Sequence, residues 1–69
     1  MLPNLRAEMV RIGIKTSDIA RAIGKTERSV RYKVSGQRSF SVEEALAIRD
    51  SFFPGLSVEY LFSRDSTAG

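Results

Sequence analysis

Neither cysteine nor histidine occurs in this chain. Without cysteine there is no disulfide framework and no thiolate metal site. Without histidine the commonest general base and the commonest metal ligand are gone. Only two prolines occur, Pro3 and Pro54, and each falls where a helix is expected to start or stop. No apolar run approaches the ~20 residues needed to span a bilayer. The N-terminus does not have the basic-then-apolar pattern of a signal peptide. These absences point to a soluble intracellular protein with no membrane partner, no metal and no cofactor.

What remains is 69 residues, enough for one small domain. A core of this size is marginal, so a partner or a second copy of the chain would add stability. Net charge is +3, and its distribution says more than its size. Residues 1–40 hold nine basic groups against three acidic ones, whereas residues 41–69 hold two against five. One part of the molecule is expected to face a polyanion and the other is not.

Apolar spacing predicts an all-α chain of five helices. The first runs from about Pro3 to Ile12, with Leu5, Met9 and Ile12 on one face. Pro3 suits a first turn, where a missing N–H costs nothing. Gly13 ends the helix, and Ile14 folds back onto Met9. The second covers about Ser17 to Ile23, with Thr16 as N-cap and Asp18 placed well for the helix dipole. Gly24 stops it. Thr26 caps a third helix from about Glu27 to Ser35, whose Val30 and Val34 share a face. Ser41-Val-Glu-Glu44 fits a capping box that opens the fourth helix, with Phe40 packing onto its first turn. Ala45, Leu46, Ile48, Phe52 and Phe53 are its expected buried residues, and Pro54-Gly55 breaks it. A short fifth helix follows Ser57. Residues 1–62 form the domain, and residues 63–69 are expected to be a flexible C-terminal tail with nothing to bury.

The stretch from Thr16 to Gly36 is the most informative. Two short helices meet at Gly24, and the second is crowded with Arg and Lys. Where two helices cross closely, a small residue must sit at the contact, and Ala20 fits. The turn needs a residue tolerant of positive φ, and Gly24 fits. Ile19, Ile23 and Val30 anchor the pair to a core. Ala20 and Gly24 are four apart, and Gly24 and Val30 six apart. These are the spacings of a helix-turn-helix. From Lys25 to Arg38 there are five basic residues and one acid, which favours contact with a polyanion over an ordinary solvated surface.

On these residues the chain resembles the Cro/CI-type, or XRE, helix-turn-helix family, from Leu5 to about Phe62. The resemblance includes the Ser-Val-Glu-Glu-Ala-Leu helix start and the terminal segment Leu56 to Phe62. It is closest to small regulators of temperate phages of Gram-positive bacteria: Cro-like repressors, and modulator-of-repression proteins that oppose the main repressor. Such a resemblance implies a compact five-helix, lambda-repressor-like DNA-binding domain, often dimeric, in a bacterial host's cytoplasm. The third helix would lie in the major groove of double-stranded DNA. The implied base-reading residues are Glu27, Arg28, Arg31 and Tyr32. Arg28 suits a bidentate contact to guanine, and Glu27 could accept from a cytosine amino group. Phosphate contacts would come from Lys15, Thr16 and Ser17, from Lys25 and Thr26, and from Gln37 and Arg38. Two positions depart from the family pattern. Lys25 and Lys33 stand where apolar residues are usual, and Val34 is expected to take over the packing role of position 33.

Plainer readings stand beside these. Glu27 also suits the dipole at a helix N-terminus. Tyr32 could pack against the domain instead of DNA. Phe53, Leu56, Leu61 and Phe62 either close the core or leave an exposed patch for a partner. Glu43, Glu44 and Asp50 do not make a catalytic set. Glu43 and Glu44 point in different directions, and Glu44 is explained by capping. The chain is also too short to build a substrate pocket, so it is not expected to be an enzyme. The leading functional expectation is a phage-type transcriptional regulator that binds operator DNA in a lysis/lysogeny switch. The alternative is an anti-repressor that binds the phage repressor protein and alters its DNA binding.

Overall fold

Five helices follow one another: α1 (Pro3–Ile12), α2 (Thr16–Ile23), α3 (Glu27–Ser35), α4 (Val42–Phe52) and α5 (Val58–Leu61). The computed structural model describes residues 2–63, which contain no strand. Apart from Ser63, the expected tail lies outside the described residues. None of the five helices is long and apolar enough to cross a membrane.

Side-chain chemistry opens most of the helices. The hydroxyls of Thr26, Ser41 and Ser57 accept from the amides of Ser29, Glu44 and Tyr60 at 3.1, 3.1 and 3.0 Å. Each bond satisfies one orphan amide of a first turn and is worth about 1 kcal/mol. At Ser41 the exchange is reciprocal, since the Ser41 amide donates to Glu44 Oε1 at 2.9 Å. α2 differs from expectation. Its N-cap is Lys15, and Thr16 is its first helical residue. A lysine side chain has no acceptor to offer an amide. The Asp18 carboxylate does the capping work from inside the helix, accepting from the Lys15 amide at 2.9 Å.

The helix ends are equally local. Ile14 folds back at the end of α1, its amide donating to the Met9 carbonyl at 3.0 Å. Its half-buried side chain packs against the core. Gly24 joins α2 to α3 at φ +70, a left-handed conformation that side-chain-bearing residues rarely adopt. The Lys25 amide then donates to the Ala20 carbonyl at 3.0 Å.

The core draws one fully buried residue from each helix: Leu5, Ile19, Val30, Ile48 and Leu61. Burying each such side chain contributes roughly 1.5–3 kcal/mol. Val34 is buried with Val30 in the core. Leu2 is buried too, and its amide donates to the Val34 carbonyl at 3.1 Å.

The C-terminal apolar residues close the core instead of forming a patch. Phe53 and Leu61 are buried, and Leu56 and Phe62 pack half-buried against them. Phe40 meets the edge of the Phe62 ring, with centroids 5.3 Å apart. α5 is clasped to α1 by polar bonds. The Tyr60 hydroxyl donates to Glu8 at 2.9 Å, and the Asn4 amide nitrogen donates to the Tyr60 carbonyl at 2.9 Å. Arg11 also pairs with Glu8. The Arg11 guanidinium, then the Tyr60 hydroxyl, hold the Glu8 carboxyl below its usual range. Its carboxylate in turn raises the Tyr60 phenol.

Two expected core residues are exposed. Ile12 ends α1 at 38% exposure, and Ile14 fills the space beneath the helix end in its place. Leu46 is 40% exposed. The inward stripe of α4 runs through Ala45, Ile48 and Phe52, and Leu46 lies two residues from Ile48, almost on the opposite side of the helix.

Candidate nucleic-acid interface

With Val30 and Val34 facing inward, the opposite side of α3 must face solvent. Arg28 and Tyr32 are exposed there, and Arg31 is exposed on the flank that faces α1. Arg28 and Tyr32 lie one turn apart and interact. The Arg28 Nε donates to the Tyr32 hydroxyl at 3.3 Å, and its guanidinium carbon lies 5.9 Å from the ring centroid. Tyr32 thus packs along Arg28 on the outer surface and takes no part in the core.

Two shallow grooves flank this ridge. One is lined by Thr26, Arg28, Ser29, Tyr32, Lys33 and Arg38. The other lies between α1, the start of α2 and α3, and brings Arg6, Thr16 and Arg31 together. The expected residues therefore fall into two groups, one on each side of α3. Arg28, Tyr32, Thr26 and Arg38 form the first, and Arg31 and Thr16 the second. Gln37 is exposed just past the end of α3, with its amide on the Tyr32 carbonyl at 2.9 Å. Lys15 is exposed at the N-cap of α2, with half-buried Ser17 in the first turn. In that turn the Asp18 amide donates to the Lys15 carbonyl at 3.0 Å, and the Thr16 and Ser17 amides lie at the positive end of the helix dipole.

Glu27 is the acid within this basic surface. Its Oε2 accepts from the Thr16 hydroxyl at 3.1 Å and from Arg31 Nη2 at 3.2 Å. One carboxylate oxygen therefore links the first residue of α2 to the outer face of α3. Glu27 is half-buried. Its carboxylate is engaged by these two donors while 43% of its side chain stays accessible.

Lys25 and Lys33, which the family resemblance leaves unexplained, both turn toward α4. Lys25 is exposed and lines a groove with Glu43 and Glu44. Lys33 Nζ lies 2.9 Å from both Glu44 oxygens, and both side chains are almost enclosed at 14% and 11% exposure. Burial pushes the Glu44 carboxyl up, but the Ser41 amide and the Lys33 ammonium outweigh it, with help from Lys25. The net is a carboxyl below its ordinary value. The Lys33 ammonium is thus held in an ion pair with Glu44, whereas Lys25 keeps solvent access.

Sequence reasoning missed Arg6, which joins Arg31 across the second groove. Only its position on the outer side of α1, beside exposed Val10, could have suggested it. It also missed the Thr16–Glu27 bond, which spans two helices. The side chains brought together are cationic and hydrogen-bonding groups suited to phosphate oxygens and base edges.

Compared with protein-family models, with curated proteins and with solved structures, the chain has no match.

Proposed function

We propose that this protein is a helix-turn-helix regulator that binds operator DNA, with α3 as the helix that enters the major groove. One observation supports this most directly. Arg28 and Tyr32 stand on the outer face of α3 and Arg31 on its flank, all exposed, while Val30 and Val34 anchor the helix to the core. A helix held this way presents its basic face to a groove about 12 Å wide without disturbing the core. Arg28 is the base-reading residue of choice because its planar fork matches guanine O6 and N7. Arg38, Lys25, Lys15 and the first-turn amides of α2 supply phosphate contacts on either side. Two copies would bind half-sites about 34 Å apart and act by occupying a promoter, as the Cro-like regulators it resembles do.

The test is selection of sites from a random duplex pool, followed by titration of the wild type, Arg28→Ala and Arg31→Ala. If six phosphates are engaged, affinity should fall about a thousandfold between 50 and 200 mM salt. A flat salt response, or selection that returns no preferred sequence, would remove this reading.

A second reading is favoured by a different observation. Val42 and Leu46 lie one turn apart on α4 at 75% and 40% exposure. An apolar pair on this outer surface would suit contact with another protein, such as the phage repressor in the modulator reading. Size-exclusion chromatography with and without a cognate repressor separates the two readings. Operator binding by the chain alone supports the first, and a mobility shift that requires repressor supports the second.

A further inference from the structure

Glu27 stands out because it places a negative charge at the centre of a surface otherwise suited to anions. Both donors on its Oε2, the Thr16 hydroxyl and Arg31 Nη2, are groups that can equally donate to a phosphate oxygen, although the family resemblance casts Arg31 as a base reader. Arg31 is largely solvent-exposed around this contact, with 66% of its side chain accessible, and Glu27 retains 43%. An exposed ion pair of this kind is weak and exchangeable. Arg6 lines the same groove and adds a third positive group nearby.

We propose that Glu27 is an internal competitor for phosphate. Its carboxylate occupies the Thr16 hydroxyl and the Arg31 guanidinium in the unbound protein, and a backbone phosphate must displace it from both. Phosphate contact on this side of α3 is thereby weakened. Arg28 lies in the other groove, paired with Tyr32, and does not share the competition. Sequence-independent attraction falls while base contact at Arg28 is unchanged, so Glu27 raises discrimination between operator and random duplex. This rests on the DNA-binding reading for its biological meaning, but the competition itself is measurable with inorganic phosphate.

The simpler role of helix dipole partner does not account for these bonds. Glu27 also lies in the first turn of α3, where any carboxylate suits the dipole, but that role alone calls for no particular donor. Its carboxylate accepts from a hydroxyl of the preceding helix and from a guanidinium one turn further on. Both are the kinds of group that bind phosphate.

The test is a comparison of the wild type with Glu27→Gln by NMR, following the Arg31 Nε and Thr16 amide resonances during phosphate titration. Gln keeps the length of the side chain and an acceptor for Thr16 but removes the charge. The Arg31 and Thr16 signals are expected to respond at several-fold lower phosphate in Glu27→Gln. Adding Thr16→Val to that variant should reverse part of the gain. Equal responses in wild type and Glu27→Gln would overturn the proposal. A second measurement needs no substitution. In the wild type, the Glu27 carboxyl carbon shift should move in step with Arg31 as phosphate is added, and a carboxyl that stays still while Arg31 responds would also overturn it.

A duplex arm separates this proposal from the functional reading. With random duplex, Glu27→Gln should bind more tightly, and its slope of log affinity against log salt should steepen by about 0.9, the value for one added phosphate contact. Selectivity for the selected site should fall. If neither protein binds any duplex while Glu27→Gln still binds phosphate more tightly, the DNA reading fails and the competition stands.

Discussion

Lys33 reaches from α3 to α4 and sets its ammonium 2.9 Å from both oxygens of Glu44. The same carboxylate caps its own helix through the Ser41 amide. One side chain therefore fixes a helix start and ties that start to α3. Lys33 Nζ also lies 5.8 Å from the Phe40 ring centroid, so the link extends to the loop between the helices.

Removing one partner of such an enclosed pair leaves a charge with little access to water. Lys33→Ala should lower stability by about 2 kcal/mol. Lys33→Met, which fills similar volume without charge, should cost much less when combined with Glu44→Gln. Urea unfolding followed by circular dichroism measures both. Equal losses in Lys33→Ala and the double variant, which keeps the volume of the stem, would mean that loss of the ion pair itself dominates, and not the charge left unpaired on Glu44.

The Glu44 carboxyl titrates below its ordinary 4.5 in the folded chain. Falling pH therefore protonates the unfolded state first. The stability from this group is complete above 4.5 and is lost as pH drops through the lowered folded value. Glu8 follows the same sign. Tyr60, raised by Glu8, acts in the opposite sense, and its contribution is lost as pH rises through its folded value, above 10.0. Glu44→Gln should flatten the acid limb of a plot of urea midpoint against pH, and an unchanged limb would assign acid sensitivity elsewhere.

At Gly24 an added Cβ meets nothing within 4 Å, but φ is +70. Gly24→Ala should therefore cost about 1–2 kcal/mol through backbone strain alone. Gly24→Asn, which tolerates this region better, should cost less. Thermal melts of the two variants give the ordering, and a harmless Ala would show that the turn can relax.

Arg28 and Arg38 line one groove but should behave differently on DNA. Arg28→Ala should cost about 1–3 kcal/mol at the selected site and relax preference at one base position. Arg38→Ala should weaken all sequences alike and reduce the salt slope by about 1. Fluorescence anisotropy at several salt concentrations distinguishes them.

The helices were largely legible because their punctuation is local. Pro3 and Gly13 bracket α1, and Thr26 and Gly36 bracket α3, at the bounds the residue pattern predicts. α2 starts at Thr16 because Asp18 caps it from within, and a Thr followed by Ser and Asp offers three plausible starts. The inward stripe of α4 was harder to read, since Ala45, Leu46, Ala47 and Ile48 are apolar in succession and only packing selects among them. The exposed basic face of α3 followed from the positions of Val30 and Val34. The Thr16 bond of Glu27 and the Glu44 pairing of Lys33 did not, because each joins residues 11 apart on two different helices. Distances of that kind depend on how two helices cross, and periodicity within either one does not report it.

Leu2, buried in the core, donates its amide to the Val34 carbonyl at 3.1 Å. The last turn of α3 is thus propped from behind by residues at the start of the chain. A change at Leu2 would therefore bear directly on that turn, through one backbone hydrogen bond and a shared core. Bulky extensions placed immediately ahead of Leu2 should accordingly disturb the outward arginines without touching them.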